Sequence, residues 1–184
     1  MITLAKWSIE DYHQMIAVGI LSERHVELLE GQIIEMSPEG PKHRNINDSI
    51  AEYLREKLRD LAKIYEAHPV SLPNSEPEPD IAVVRLPVFL YDNVHPSTKD
   101  IYLLIEISDS TLEKDLEQKR IIYARAGILE YWVVDLKAQQ LILFRQPLGG
   151  NYQIQQTYKQ GTISLLSFPH VQLSVEKLIS KNTD

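Results

Sequence analysis

The run Ile101-Tyr-Leu-Leu-Ile-Glu-Ile107 is almost continuously apolar and carries one carboxylate near its end. A short apolar run of this kind reads as a strand buried on both faces, at the centre of a sheet. An acid in such a strand is costly to bury unless something neutralises it. Ser110 or Thr111 is a suitable N-cap for a helix from about Glu113 to Ala126, and Gly127 ends it. Glu130-Tyr-Trp-Val-Val-Asp135 reads as the next strand. The unit from Ile101 to Asp135 is therefore a strand–helix–strand crossover, expected to be right-handed.

Side-chain alternation places Tyr102, Leu104, Glu106 and Ser108 on one face of the first strand. In the helix, Leu116, Lys119 and Tyr123 share a face at i, i+3 and i+7. Packing of that face on the sheet points the Lys119 amine towards the end of the strand where Glu106 lies. A second acid, Asp80, follows the proline-rich stretch 69–79 and opens the apolar run Ile81-Ala-Val-Val84. On neighbouring strands, Asp80 and Glu106 can share a Mg²⁺ or Mn²⁺, which takes one or two carboxylates and keeps several waters. A lysine beside them can orient a water or offset developing charge, so the set suits phosphodiester hydrolysis. Taken alone, Glu106 and Lys119 also read as a buried ion pair that fixes the helix on the sheet, and Asp80 as the cap of a turn.

Elsewhere, Ser8 to Val18 reads as a short helix capped by Ser8 and ended by Gly19. Val26 to Met36 reads as a hairpin turning at Glu30-Gly31. The apolar stripe Ile46, Ile50, Leu54, Leu58, Leu61 and Ile64 predicts one long helix over 43–65. Gln140 to Arg145 and Asn151 to Tyr158 extend the sheet, and Val175 to Ser180 forms a terminal helical turn. The expected fold class is α/β or α+β, one domain over 1–184 with a mixed β-sheet flanked by helices.

Composition narrows the function. The 184 residues carry a formal net charge of −7, unlike a nucleic-acid coat protein, whose affinity rests on Lys and Arg. A nuclease remains compatible, because bound divalent cations cancel acidity locally. The absence of cysteine excludes disulfides, thiolate metal sites and a cysteine nucleophile. No apolar stretch approaches the roughly 18 residues of a membrane span. The start of the chain lacks a basic region followed by an apolar one, so no secretory signal is expected and the expected location is cytoplasmic. There is no Walker-type phosphate loop, dinucleotide fingerprint or nucleophile-elbow serine. His25, His43, His68, His95 and His170 show no paired zinc spacing.

Several of these segments together resemble one family. They are Glu27-Leu-Leu-Glu-Gly-Gln-Ile-Ile-Glu-Met-Ser-Pro38, His43, Pro79-Asp80, the Leu104–Ser108 strand, Ser110-Thr111, Asp115, Lys119, Tyr123, and Gly127 through Asp135. Over about residues 8–175 they resemble the Uma2 family (domain of unknown function 820), with 1–7 and 176–184 as terminal extensions. That family is abundant in cyanobacteria and classed as restriction-endonuclease-like, within the PD-(D/E)xK nuclease superfamily. The resemblance implies a restriction-endonuclease-like core, with Asp80 and Glu106 as ligands of Mg²⁺ or Mn²⁺ and DNA as substrate. It also implies that Lys119 is a migrated catalytic lysine, because Ser108 occupies the usual lysine position two residues after Glu106. The further acid that often joins such sites is assigned first to Glu27 and second to Glu52, each of which also reads as a structural or surface acid. His43 reads either as a site contact or as an ordinary residue of a helix end. Cutting of both strands would suit a homodimer. The alternative is a nuclease-fold interaction module without catalysis.

Overall fold

A computed structural model describes residues 4–180; the outermost parts of both expected terminal extensions, 1–3 and 181–184, lie outside the described residues. Helix α1 (Ile9–Ala17) starts at the predicted cap, where Ser8 and Asp11 form a reciprocal capping box. Strands β1 (Val26–Leu29) and β2 (Gln32–Glu35) form the expected hairpin. Its turn needs positive φ at both central residues, 47° at Glu30 and 77° at Gly31. Helix α2 (Pro41–Lys57) follows, with proline in the first turn, where a missing N–H costs nothing.

The chain then lays down the edge strand β3 (Lys63–Glu66), followed by β4 (Ile81–Val84) and β5 (Ile101–Ser108). A wide, π-type helical turn (Lys114–Lys119) runs into α3 (Arg120–Ala126). Strands β6 (Glu130–Asp135), β7 (Gln140–Leu148) and β8 (Asn151–Tyr158) complete a six-stranded mixed sheet ordered β3-β4-β5-β6-β7-β8. Within it only the β5–β6 pair is parallel, with Glu106 opposite Val133, as the crossover requires. The hairpin β9 (Thr162–Leu165) and β10 (Phe168–Ser174) and the short α4 (Val175–Ile179) close the fold. Among the described residues no helix is long and apolar enough to cross a membrane.

Two cores sandwich the sheet. One face packs Ile81, Val83, Leu103, Ile105, Trp132 and Val134 against Ile46, Ile50 and Leu54 of α2 and against the β9–β10 hairpin. The other packs Ala82, Val84, Leu104, Tyr131 and Val133 against Ile122 and Tyr123 of α3 and Leu29 of β1. Glu106 continues the row of Leu104, on the α3 face.

Three sequence expectations need correction. The long helix over 43–65 stops at Lys57. Asp60 takes a left-handed φ of 64° and turns the chain, so Ile64, buried as expected, lies on edge strand β3 and not on the helix. One apolar residue at helical spacing satisfies either placement, and pairing with β4 decides it. Tyr102 does not share the face of Leu104. The β4–β5 register shifts between Val83 and Val84, and this bulge sends Tyr102 to the α2 side, where it packs edge-on against Phe168. The β9–β10 hairpin was not expected; its Ile163, Leu165, Phe168 and Leu173 are spaced too irregularly for a clear period of two.

Glu130 ties this last hairpin to the sheet. Fully buried, it accepts hydrogen bonds from Trp132 Nε1 (2.9 Å), Arg145 Nε (2.8 Å) and the Leu166 backbone N–H (2.7 Å). Glu130→Gln keeps the shape but removes the charge facing Arg145. It should cost about 1–3 kcal/mol in urea unfolding. An unchanged midpoint would show that the node contributes nothing.

Candidate active site

Asp80, Glu106 and Lys119, the set read from the sequence, all line one cleft of about 600 Å³ at the end of the α3 face. Asp80 lies just before β4 and has the same parity as Ala82 and Val84. Its Oδ2 accepts the backbone N–H of Ile107 at 2.6 Å, so it sits directly beside the strand position that follows Glu106. Glu106 is 4 % exposed, and its Oε1 accepts from Lys119 Nζ (2.9 Å) and from the Tyr123 hydroxyl (2.7 Å). The facing of Lys119 and Glu106 is the arrangement that the helical spacing predicts. Among the described residues no hydrogen bond reaches Asp80 Oδ1 or Glu106 Oε2.

Glu27 enters from β1. The hairpin buries all four residues of that strand: Leu28 lies under α1, Leu29 lies in the α3-face core, and Glu27 reaches the cationic end of the helical segment. Its Oε1 accepts from Lys114 Nζ (2.5 Å), and its Oε2 accepts the Glu78 N–H (3.3 Å) and lies 3.4 Å from Lys119 Nζ. His43, in the first turns of α2, shares one nitrogen with Glu39 (2.7 Å) and the other with Asp80 Oδ2 (3.2 Å). Ser108 is buried and donates to Asp115 Oδ2 (2.7 Å), as does Thr111 (2.8 Å). Glu52 is exposed on α2 and does not line the cleft.

The wide turn at Lys114–Lys119 explains why so many polar groups converge here. It carries Asp115 and Lys119, both 3 % exposed, onto the sheet within one turn. Such turns recur at functional sites because they re-aim side chains without ending a helix. The sequence assigns no site role to Lys114 or Asp115, although Asp115 is among the residues that carry the family resemblance. Their sequence signal is the spacing of Thr111 and Asp115, four apart at a helix start.

Charge within the cluster is unbalanced. Burial opposes ionisation of Glu27, but Lys119 and Lys114 outweigh it and hold the carboxyl below its usual range. Burial dominates at Glu106; Lys119 opposes it, Asp80, Asp115 and Glu27 reinforce it, and the carboxyl rises to about 8. Burial also raises Asp115. Lys119 resists its own desolvation because Glu106, Glu27 and Asp115 surround it, so it stays an ammonium well above the usual lysine range. Glu27 faces two ammonium groups, whereas Glu106, the group at which burial dominates, shares one with several acids.

His43 has the same origin. Burial disfavours its imidazolium, but Asp80 and Glu39 outweigh burial and raise it to about 9. Such a group stabilises the fold fully below its ordinary value of 6.5, and the contribution is lost as pH climbs through about 9. Glu106 acts with the same sign, since its raised value favours the protonated form. The Tm of the metal-free protein should therefore fall between pH 6.5 and 9, and fall less in His43→Gln. Parallel pH profiles would remove His43 from the network.

Residues 9–176 match the Uma2 family, described as "Putative restriction endonuclease". Comparison with curated proteins returns no match. Among solved structures, the chain resembles one described as a "putative nuclease belonging to DUF820" from Anabaena variabilis, with a TM-score of 0.67. The alignment covers 85 % of this chain and 90 % of that one, and at 19 % identity it is a likeness of fold. With the family match spanning nearly all of the described residues, this chain belongs to the Uma2 family, and its mixed α+β architecture is that of a nuclease-fold protein.

Proposed function

We infer that this protein is a divalent-metal-dependent endonuclease that hydrolyses DNA phosphodiester bonds at the Asp80–Glu106–Lys119 cleft. The observation that carries this reading is the convergence of two carboxylates, each with an oxygen free of hydrogen bonds, beside a buried ammonium in one open cleft. Two carboxylates with room for waters fit Mg²⁺ or Mn²⁺, which prefer oxygen ligands and keep part of their hydration. Asp80 and Glu106 would hold that ion, which when bound lowers the pKa of a water and stabilises charge on the phosphoryl oxygens.

The chain's own groups divide the remaining work. Lys119 is held as an ammonium, so it acts as a hydrogen-bond donor to developing negative charge and does not abstract a proton. Glu27 and Tyr123 hold that lysine and Glu106 in place. His43 fixes Asp80 from the mouth of the cleft, and Lys42 and Lys114 line it as partners for backbone phosphates. A two-fold dimer acting in the cytoplasm, one cleft for each strand, belongs to the same proposal.

A second reading has its own observation. Ser108 stands where a lysine is usual and is committed to Asp115, which favours a nuclease-fold interaction module without catalysis. Incubation of the protein with supercoiled plasmid separates the two. The endonuclease reading expects nicking with Mn²⁺ or Mg²⁺ and none in EDTA. An absence of nicking with either ion, over a panel of duplex, single-stranded and RNA substrates, would leave the interaction module.

A further inference from the structure

A second cluster lies outside the cleft, where α1 meets the loops that precede β4 and β5. Its centre is Glu76, 3 % exposed, whose two carboxylate oxygens lie 2.7 and 2.9 Å from His13 Nε2. Among the described residues no lysine or arginine lies within ion-pairing distance of this buried carboxylate, and His13 is its one ionisable partner. His95 completes the group: ligand atoms of His13, Glu76 and His95 all lie within 4.8 Å of one another. They border a separate cavity of about 350 Å³ walled by Tyr12, Ile16, Ala17 and Pro69.

The support around the cluster is built in the way a metal site requires. Glu76 cannot drift, because its backbone pairs with Leu28 in both directions, at 2.7 and 3.3 Å. Ser71 donates its hydroxyl to Glu76 Oε2 (3.1 Å) and its N–H to the carbonyl of Pro96 (2.9 Å), which ties the carboxylate to the loop that carries His95. Hydrogen bonds of this kind orient a metal ligand, and a bond donated to a carboxylate stabilises its ionised, metal-binding form. The carboxylate is buried, while both histidines are exposed. An imidazole against a carboxylate at hydrogen-bond distance holds a proton where a cation would sit. The chemistry of the trio differs from that of the cleft: two imidazoles and one carboxylate suit Zn²⁺ and its neighbours in the first transition series, whereas Mg²⁺ prefers oxygen alone.

We propose that His13, Glu76 and His95 form a transition-metal site of the Zn²⁺ class, distinct from the Asp80–Glu106 cleft, with its fourth position open to solvent. Residues distant in sequence supply the ligands, which is why no paired histidine spacing announces the site. Coordination there would clamp α1 to the two loops.

Zn²⁺ itself is the probe, on the full chain without an affinity tag and in excess Mg²⁺ to occupy carboxylate sites. The expected result is one tight Zn²⁺ per wild-type chain by calorimetry. That site persists in Asp80→Asn and weakens at least about tenfold in both His13→Ala and His95→Ala. Zn²⁺ should raise the Tm of wild type and of Asp80→Asn and leave that of His95→Ala unchanged. Both histidines are exposed, so these variants should keep the wild-type circular dichroism; His95→Gln replaces any that does not. Absence of tight Zn²⁺ binding, equal binding in wild type and the histidine variants, or loss of binding in Asp80→Asn would overturn the assignment. Plasmid nicking is not among the readouts, so the result is independent of the endonuclease reading.

Discussion

Lys119→Met should cost the metal-free protein about 3–5 kcal/mol in chemical unfolding, the penalty for removing one partner of a buried charge network. The buried lysine side chain touches Glu106 and Glu27, both also buried. Methionine fills nearly the same volume, so the loss comes from charge and not from a cavity. Glu106 already resists ionisation with the lysine present and would resist it more strongly without it. The variant should therefore regain stability as the pH falls and its carboxyls protonate. The cleft reading adds a sharper expectation: Mn²⁺ supplies the missing positive charge, so it should raise the Tm of Lys119→Met more than that of wild type, without restoring nicking. Equal stability of variant and wild type in EDTA would refute the buried network itself.

Asp80→Asn should reduce metal-dependent nicking by at least about a thousandfold, equivalent to about 4 kcal/mol of transition-state stabilisation. Asparagine retains an oxygen for the Ile107 N–H and for His43, so the strand end should keep its geometry. What it loses is the negative charge that would hold a divalent cation. The variant should fold with a Tm near that of wild type in EDTA and show a much weaker Mn²⁺-dependent increase. Nicking at the wild-type rate by this variant would move the chemistry away from the cleft, whatever the fold.

Much of the site is legible along the chain, and the reason is local. Helical spacing puts Lys119 and Tyr123 on one face, strand alternation gives Glu106 its side, and the crossover brings the two elements together, so their contact follows from periodicity. The nearness of Asp80 to the end of the Glu106 strand is legible because it opens an apolar run that pairs with that strand. The position of Glu27 is a different matter. Its hairpin is clear from the Glu30-Gly31 turn, but which β1 side chain meets Lys114 and Lys119 depends on how the hairpin docks on the α3 side of the sheet. The same holds for His43, whose approach to Asp80 depends on how α2 seats on the sheet.

Elements that carry their own period and punctuation can be read along the chain: α1 with its capping box, the first hairpin, and the β5–helix–β6 unit ended by Gly127. Long-range packing sets the rest: Ile64 joins an edge strand, a bulge turns Tyr102 away from Glu106, residues 162–174 fold back as a hairpin, and His13, Glu76 and His95 meet. A local pattern records which face of an element is apolar. It does not record which distant segment will cover that face, because that choice rests on hydrogen-bond register and packing between residues far apart in the chain.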